Sequence, residues 1–167
     1  MSITLDGDNL ATNGVLNSKT AVASTSGTAI DFTGIPAGVK RITVMFNGVS
    51  TNGSSNYQVQ IGSGSVTTSG YAASAAYTGA SAQGYTATTG VCFVPATAAA
   101  NSFTGSAVLT NISSNTWVAS SNFGRNDGYQ MISSGSITLS GTLDRVRITT
   151  VNGTDTFDAG SINILYE

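Results

Sequence analysis

The feature that most constrains this chain is an alternation of apolar and other residues with a period of two. In KRITVMFNG, Ile42, Val44 and Phe46 fall on one side of an extended chain, while Arg41 and Thr43 fall on the other. Successive side chains of a strand point to opposite faces, so this pattern predicts a strand with one buried face. No stretch has apolar residues at helical spacing over three turns that is free of glycine or β-branched runs, so helices are not expected.

The same alternation returns along the chain. In NYQVQIG, Tyr57, Val59 and Ile61 lie opposite Gln58 and Gln60, which is the half-buried pattern of an antiparallel sheet. The runs LDRVRITT and SINILYE repeat it around the turn sequence NGTDTFDAG, and they predict a C-terminal strand with one core-facing side.

Turn signals separate these strands. Asn-Gly pairs begin at Asn13, Asn47, Asn52 and Asn152, and they predict tight turns because both residues tolerate positive φ. Short apolar segments elsewhere are divided by Gly, Ser and Asn at the spacing of a sandwich or barrel. The sequence therefore predicts an all-β fold, an antiparallel β-sandwich with the jelly roll as the leading topology.

The chain of 167 residues fits one domain with a real core. Residues 21–167 carry the predicted sandwich. Residues 1–20 contain one short strand followed by polar chain, and they are expected to form a short N-terminal β arm that attaches to a neighbour, or else an ordered terminal extension.

The low content of charged residues limits the classes of partner that this chain can bind. Charged residues make up 8% of the chain, against about 25% in ordinary soluble proteins, and the net charge is −2. The six Lys and Arg residues are spread out, so nucleic acid and anionic membranes are poor partners. A basic leader and an apolar run of about 18 residues are both missing, so neither a signal peptide nor membrane insertion is expected.

The residue types that most catalysis needs are scarce. The chain has no histidine, which excludes Ser-His-Asp and Cys-His arrangements and metal sites that need imidazole. Cys92 is the sole cysteine, so it cannot form an intrachain disulfide and is expected to be a small buried hydrophobe. We therefore expect no catalytic residue, cofactor or metal.

Aspartates leave two alternatives open. Any two of them could meet across a cleft, as a glycosidase requires, so a small depolymerase remains an alternative. Asp6 with Asp8, and Asp155 with Asp158, have the short spacing that a calcium loop can use, but neither pair fits the full EF-hand pattern. Turn formation explains these residues more simply.

Two segments suit binding better than catalysis. Residues 63–90 place Tyr71, Tyr77 and Tyr85 among Ala, Ser and Gly, a mixture of stiff aromatics and small residues that is typical of recognition surfaces. Alternatively, Tyr71 and Tyr77 lie an even number of residues apart and pack together in a subunit contact.

The second segment is SSNFGRNDGYQ. It groups aromatic, amide and charged side chains around two glycines, a mixture that can hold a sugar through ring stacking and hydrogen bonds to hydroxyl groups. Its candidate binding residues are Asn122, Arg125, Asp127 and Tyr129. A solvated hairpin with an Arg-Asp pair is the alternative.

Several phrases resemble bacteriophage and prophage tail fibre and other virion surface proteins. They are TAIDFTGIPAGVKRITVMFNGVSTNG, YQVQIGSGSVTTSGY and SGTLDRVRITTVNGTDTFDAGSINILYE, and the opening MSITLDGDNLATNGVL is similar to the short β-starting heads of such proteins. The resemblance implies homo-oligomers, often trimers, that are exposed on the particle and contact other virion proteins. It carries no ligand motif from which individual residues could be assigned.

We therefore expect a structural virion surface protein of a tailed bacteriophage, on the tail or tail fibre. It would be made in the bacterial cytoplasm, where thiols stay reduced, and would contribute to host attachment by binding a surface polysaccharide without catalysis. The alternatives are a capsid decoration or head-fibre protein, and a polysaccharide-binding module or depolymerase.

Overall fold

The computed structural model describes residues 16–78, 83–94 and 96–167. This part of the chain folds into strands, turns and loops, and none of its residues forms a helix that could cross a membrane. The strands are β1 (Asn17–Ser18), β2 (Val22–Ala23), β3 (Ala29–Thr33), β4 (Arg41–Thr51), β5 (Tyr57–Ser63), β6 (Ser65–Val66), β7 (Ala72–Thr78), β8 (Gln83–Ala87), β9 (Val91–Val94), β10 (Phe103–Ser113), β11 (Thr116–Arg125), β12 (Gln130–Thr138), β13 (Arg145–Thr150) and β14 (Phe157–Tyr166).

The strands form two antiparallel sheets that pack face to face. The large, nine-stranded sheet has the order β1-β14-β4-β10-β11-β12-β7-β8, and β2 also pairs with β14. The small, five-stranded sheet has the order β3-β13-β5-β6, and β9 pairs with β5. The predicted all-β antiparallel sandwich is confirmed.

The core lies between the two sheets and follows the period-two pattern. Ile42 and Val44 of β4 and Val146 and Ile148 of β13 are fully buried. Tyr57 of β5 lies at the centre of an aromatic cluster, where its ring contacts Phe46, Phe103 and Phe157. Each such buried side chain contributes about 1.5–3 kcal/mol of transfer free energy, so the alternation seen in the sequence supplies most of the driving force for folding.

One predicted turn is instead a bulge inside the large sheet. Asn47 and Gly48 lie within β4, where the register with β14 shifts between Ala159 and Ser161. Gly48 has a φ of 62° and Gly160, facing it across the bulge, has a φ of 90°. The prediction of a turn at Asn47 is wrong because a bulge needs the same positive φ as a tight turn.

Two of the other Asn-Gly pairs lie in turns between strands. Asn152 and Gly153 lie in the turn after β13, and Asn52 lies in the turn after β4, as predicted. The pair at Asn13 lies outside the described residues.

Only residues 16–20 of the predicted N-terminal arm belong to the described part of the chain. Residues 1–15 lie outside the described residues, and so does the side chain of Cys92. Within residues 1–20, β1 pairs with β14 of the same chain, with Asn17 opposite Tyr166. Just after this segment, β2 pairs with β14 further along.

Candidate functional site

Three tyrosines form a row at the β8 end of the large sheet. Tyr77 lies near the end of β7, Tyr85 lies in the edge strand β8, and Tyr129 lies in the turn before β12. The rings of Tyr77 and Tyr85 stack with centroids 6.4 Å apart, and the rings of Tyr77 and Tyr129 meet edge to face at 5.7 Å. All three side chains are only partly buried, so this tyrosine row presents aromatic surface to solvent.

The strand pairing explains why these tyrosines meet. Tyr77 lies opposite Met131 of β12 on one side and opposite Gln83 of β8 on the other. Met131 is fully buried, so Tyr77 lies on the inner side of the sheet, at the margin of the core. The edge strand β8 then carries Tyr85 on the same face, where its hydroxyl donates to Oε1 of Gln83 at 3.0 Å.

Arg125 anchors one end of the tyrosine row. Its side chain is 5% exposed, and its guanidinium donates twice to the carboxylate of Asp127, with both nitrogen–oxygen distances at 2.7 Å. The guanidinium carbon lies 4.4 Å from the centroid of the Tyr129 ring, and Nη1 donates to Oγ1 of Thr97 at 3.3 Å. Because one cation contacts the turn, the ring and the loop before β10, it holds them in one arrangement.

The ion pair with Arg125 also lowers the pKa of the Asp127 carboxyl. The hydrogen bonds from the Arg125 side chain hold the pKa of the Asp127 carboxyl below its usual value. The guanidinium of Arg145 does the same for the pKa of Asp144, with help from the backbone amide of Gly64. Both carboxyls therefore stay ionised over the physiological range and act as acceptors.

The structure brings together five of the seven residues predicted to bind a ligand, which are Tyr77, Tyr85, Arg125, Asp127 and Tyr129. The two predicted segments, residues 63–90 and the turn after β11, thus meet at one place. The alternative interpretation placed the Arg-Asp pair in a solvated hairpin. In the structure the arginine of this pair is buried and the aspartate is half-exposed.

Tyr71 does not belong to this site. It is 3% exposed, and its hydroxyl accepts from the backbone amide of Ile61 at 2.8 Å and lies 3.0 Å from the carbonyl oxygen of Thr67. Its prediction as a ligand-binding residue is wrong, because its ring packs in the core and its hydroxyl completes the backbone hydrogen bonding of β5.

Asn122 also lies apart from the site. It occupies an exposed position in β11 between Ser106 and Ile132, on the outer face of the large sheet. Its neighbour Phe123 is 1% exposed and faces the core, so the pleat directs Asn122 away from Arg125. The prediction that grouped it with the turn residues is therefore wrong.

The other carboxylates of the described chain are held by the fold. Asp31 is paired twice with Arg147, at 2.7 and 2.8 Å. Asp155 accepts from the amide of Ser55 and from Asn152, and Asp158 accepts a short hydrogen bond from Ser50. Among the residues described, no group of three or more acidic or sulfur ligands is placed to hold a metal ion. Asp6 and Asp8 lie outside the described residues.

A second polar surface lies on the outer face of β5. Gln58 and Gln60, predicted to lie on a solvent face, are 3% and 5% exposed because Thr89, in the segment before β9, covers them. In the sequence, this surface is indicated only by two glutamines on one face of β5 and two arginines on one face of β13. Its covering segment could not be predicted, because that segment is distant in sequence.

The two core tyrosines give the protein a definite response to alkali. Burial raises the pKa of Tyr57 and of Tyr71 to about 12, from 10.0. The folded state favours the neutral phenol, so this stability is complete below pH 10 and is lost as the pH rises from about 10 to about 12, by roughly 3 kcal/mol per tyrosine.

Tyr71→Phe tests this response. At neutral pH the variant is expected to lose about 1–3 kcal/mol of unfolding free energy, because the amide of Ile61 loses its acceptor. Above pH 10 its stability should fall less steeply than that of the wild type, because one titrating group is gone. Denaturant unfolding across this range gives both slopes, and equal slopes would contradict the assignment.

Comparison with known proteins returned nothing: no family model, no curated protein sequence and no solved structure matches this chain.

Proposed function

We propose that this protein is a structural virion surface subunit of a tailed bacteriophage, on the tail or tail fibre, that contributes to host attachment by binding without catalysis. The observation that carries the proposal is the tyrosine row, held at one end by the buried Arg125. Rigid, partly exposed rings suit the apolar faces of sugars, and host polysaccharide is the partner class that fits them.

The lowered pKa values of Asp127 and Asp144 favour a binding function over a glycosidase activity. A glycosidase needs one carboxyl of raised pKa as its general acid. The pKa of Asp127 and that of Asp144 are shifted the opposite way by their arginine partners. Both groups are committed to ion pairs that would have to break before either could act on a substrate.

The strand order supports a jelly roll as the finer topology. Strands β2, β14, β4 and β10 lie side by side in one sheet, and β3, β13, β5 and β9 lie side by side in the other. The chain passes between the sheets from β2 to β3, to β4 and to β5, and the last strand returns beside the first, as in two interleaved Greek keys. We propose that β7–β8 and β11–β12 are hairpin additions to this eight-stranded frame.

The outer face of the large sheet favours assembly with other subunits. Cross-strand neighbours run across it as Asn163, Met45, Ser106, Asn122, Ile132, Ala76 and Gly84, and none of them is charged. Ile132 is 53% exposed. This uncharged row across the sheet and an uncharged edge strand, β8, suit packing into a homo-oligomer, a trimer in our proposal.

The same face favours a second candidate, a capsid decoration or head-fibre protein that packs against the shell. Gold-labelled antibody against this chain, applied to purified phage particles and viewed by electron microscopy, separates the two. We expect label at the tail or its fibres. Label confined to the shell would support the decoration function and would refute the tail position, and particles without label would refute both.

A further inference from the structure

A polar groove lies on the outer face of the small sheet, away from the tyrosine row. It has a volume of about 300 Å³, and Gln58, Gln60, Thr68, Thr89 and Arg147 are among the residues that line it. Ligand pockets in proteins start at about this size, which suits one small ligand unit.

The glutamine side chains in the groove are buried and held in place. Nε2 of Gln60 donates to the carbonyl oxygen of Thr89 at 2.8 Å, and Oε1 of Gln58 accepts from Oγ1 of Thr89 at the same distance. Nε2 of Gln58 donates to the carbonyl oxygen of Thr150 at 3.3 Å. Because a carbonyl can only accept, these bonds fix which end of each amide is nitrogen.

Oε1 of Gln60 is left without a donor. The residue is 5% exposed, and no described residue donates a hydrogen bond to this oxygen. Every fully buried side-chain nitrogen or oxygen of the described residues has a hydrogen-bond partner, so this oxygen is reached by solvent in the groove. A ligand hydroxyl can therefore replace the water that it would otherwise bind.

The cross-strand neighbour of Gln60 supplies a donor. Arg147 lies directly opposite Gln60 in the pairing of β13 with β5, and opposite Asp31 in the pairing with β3. Its Nε and Nη2 both donate to the Asp31 carboxylate, which fixes the guanidinium plane, while no described residue accepts from Nη1. Side chains directly opposite on neighbouring strands are about 5 Å apart at Cβ, so this donor and the Gln60 acceptor lie close enough for one small molecule to contact both.

We propose that this groove is a binding site for one neutral saccharide unit with adjacent hydroxyl groups. Such a unit carries donors and acceptors together: one hydroxyl donates to Oε1 of Gln60, and its neighbour accepts from Nη1 of Arg147. Asp31 already neutralises Arg147, so the groove favours a neutral ligand over phosphate or a carboxylate sugar. The inference does not depend on the tyrosine row.

The test is a titration of the isotope-labelled full chain, followed by two-dimensional amide NMR, with the methyl glycosides of glucose, galactose and mannose as probes. Inorganic phosphate and glucuronate are the anionic comparisons. We expect at least one glycoside to shift the amide signals of residues 58–60 and 147–149 with a dissociation constant on the order of 1 mM. The anions should bind more weakly.

Gln60→Met and Arg147→Lys each remove one proposed contact, and each should weaken glycoside binding at least about tenfold, or 1.4 kcal/mol. The matched control is Gln130→Met, which alters an exposed glutamine of β12 outside the groove and should leave binding unchanged. Tyr85→Ala should also leave it unchanged, which separates this site from the proposed attachment site.

Three results would overturn the proposal. They are the absence of shifts at residues 58–60 and 147–149 with every glycoside, binding that survives both groove substitutions, and binding abolished by Tyr85→Ala. The wild-type titration decides the first of these even where a groove variant folds poorly. If Tyr85→Ala particles lose host adsorption while the variant chain still binds the glycoside in the groove, the tyrosine row and the groove are two independent sites.

Discussion

Asp127→Ala is expected to destabilise the fold by about 2–3 kcal/mol, although its side chain is 42% exposed. The substitution leaves the guanidinium of Arg125, which is 5% exposed, without the carboxylate that neutralises it. The full cost of stranding a buried charge is about 3–5 kcal/mol, and we reduce it because water can enter where Asp127 was.

The reverse substitution should be milder. Arg125→Met keeps an apolar side chain against Tyr129, and the Asp127 carboxylate left behind can be hydrated, so we expect a loss of about 1–2 kcal/mol. The double variant should then be no less stable than Asp127→Ala alone. Denaturant unfolding of the three variants measures this asymmetry. A larger loss in Arg125→Met than in Asp127→Ala would show that packing, and not charge, dominates at Arg125.

Gly160→Ala is expected to cost more, about 3–5 kcal/mol. A Cβ at this position would lie 2.4 Å from the carbonyl oxygen of Gly48 and 2.6 Å from that of Asn47. Its φ of 90° adds about 1–2 kcal/mol of backbone strain for any L side chain. Because the obstructing atoms are backbone, β14 would have to move away from β4, which disturbs the packing of the large sheet.

Gly48→Ala is the matched control for this prediction. Gly48 lies across the same bulge with a φ of 62°, but a Cβ there meets nothing within 4 Å. It should therefore show only the backbone strain, about 1–2 kcal/mol. Thermal and denaturant unfolding of both variants measure the difference, and equal losses would show that the close approach of β4 and β14 at Gly160 does not limit stability.

The strands and their buried faces could be predicted because a strand's pleat is local. Ile42, Val44 and Phe46 are buried as the alternation predicted, and so are Ile162 and Ile164 of the C-terminal strand. The same local pattern failed for Gln58 and Gln60, because a chain segment some thirty residues later covers that face. Burial set by distant segments leaves no periodic signal in the strand itself.

The candidate site was predictable in its residue types but not in its assembly. Tyr77 and Tyr129 meet because β7 pairs with β12, a neighbour relation between strands that no local pattern encodes. Tyr71 and Tyr77 looked alike in sequence, yet Tyr71 lies just outside β7, where its hydroxyl reaches the backbone of Ile61 and Thr67. The Asn47-Gly48 pair failed in the same way, since a turn and a bulge both need positive φ.

The most direct test of the proposed attachment function is the rate at which phage particles carrying Tyr85→Ala adsorb to host cells. Tyr85 lies on the exposed edge strand, so its loss should leave the fold intact and slow adsorption at least about tenfold. Particles carrying Thr86→Ala, on the opposite face of the same strand, should adsorb like the wild type. Wild-type adsorption by Tyr85→Ala particles that contain the normal amount of this chain would contradict attachment through the tyrosine row.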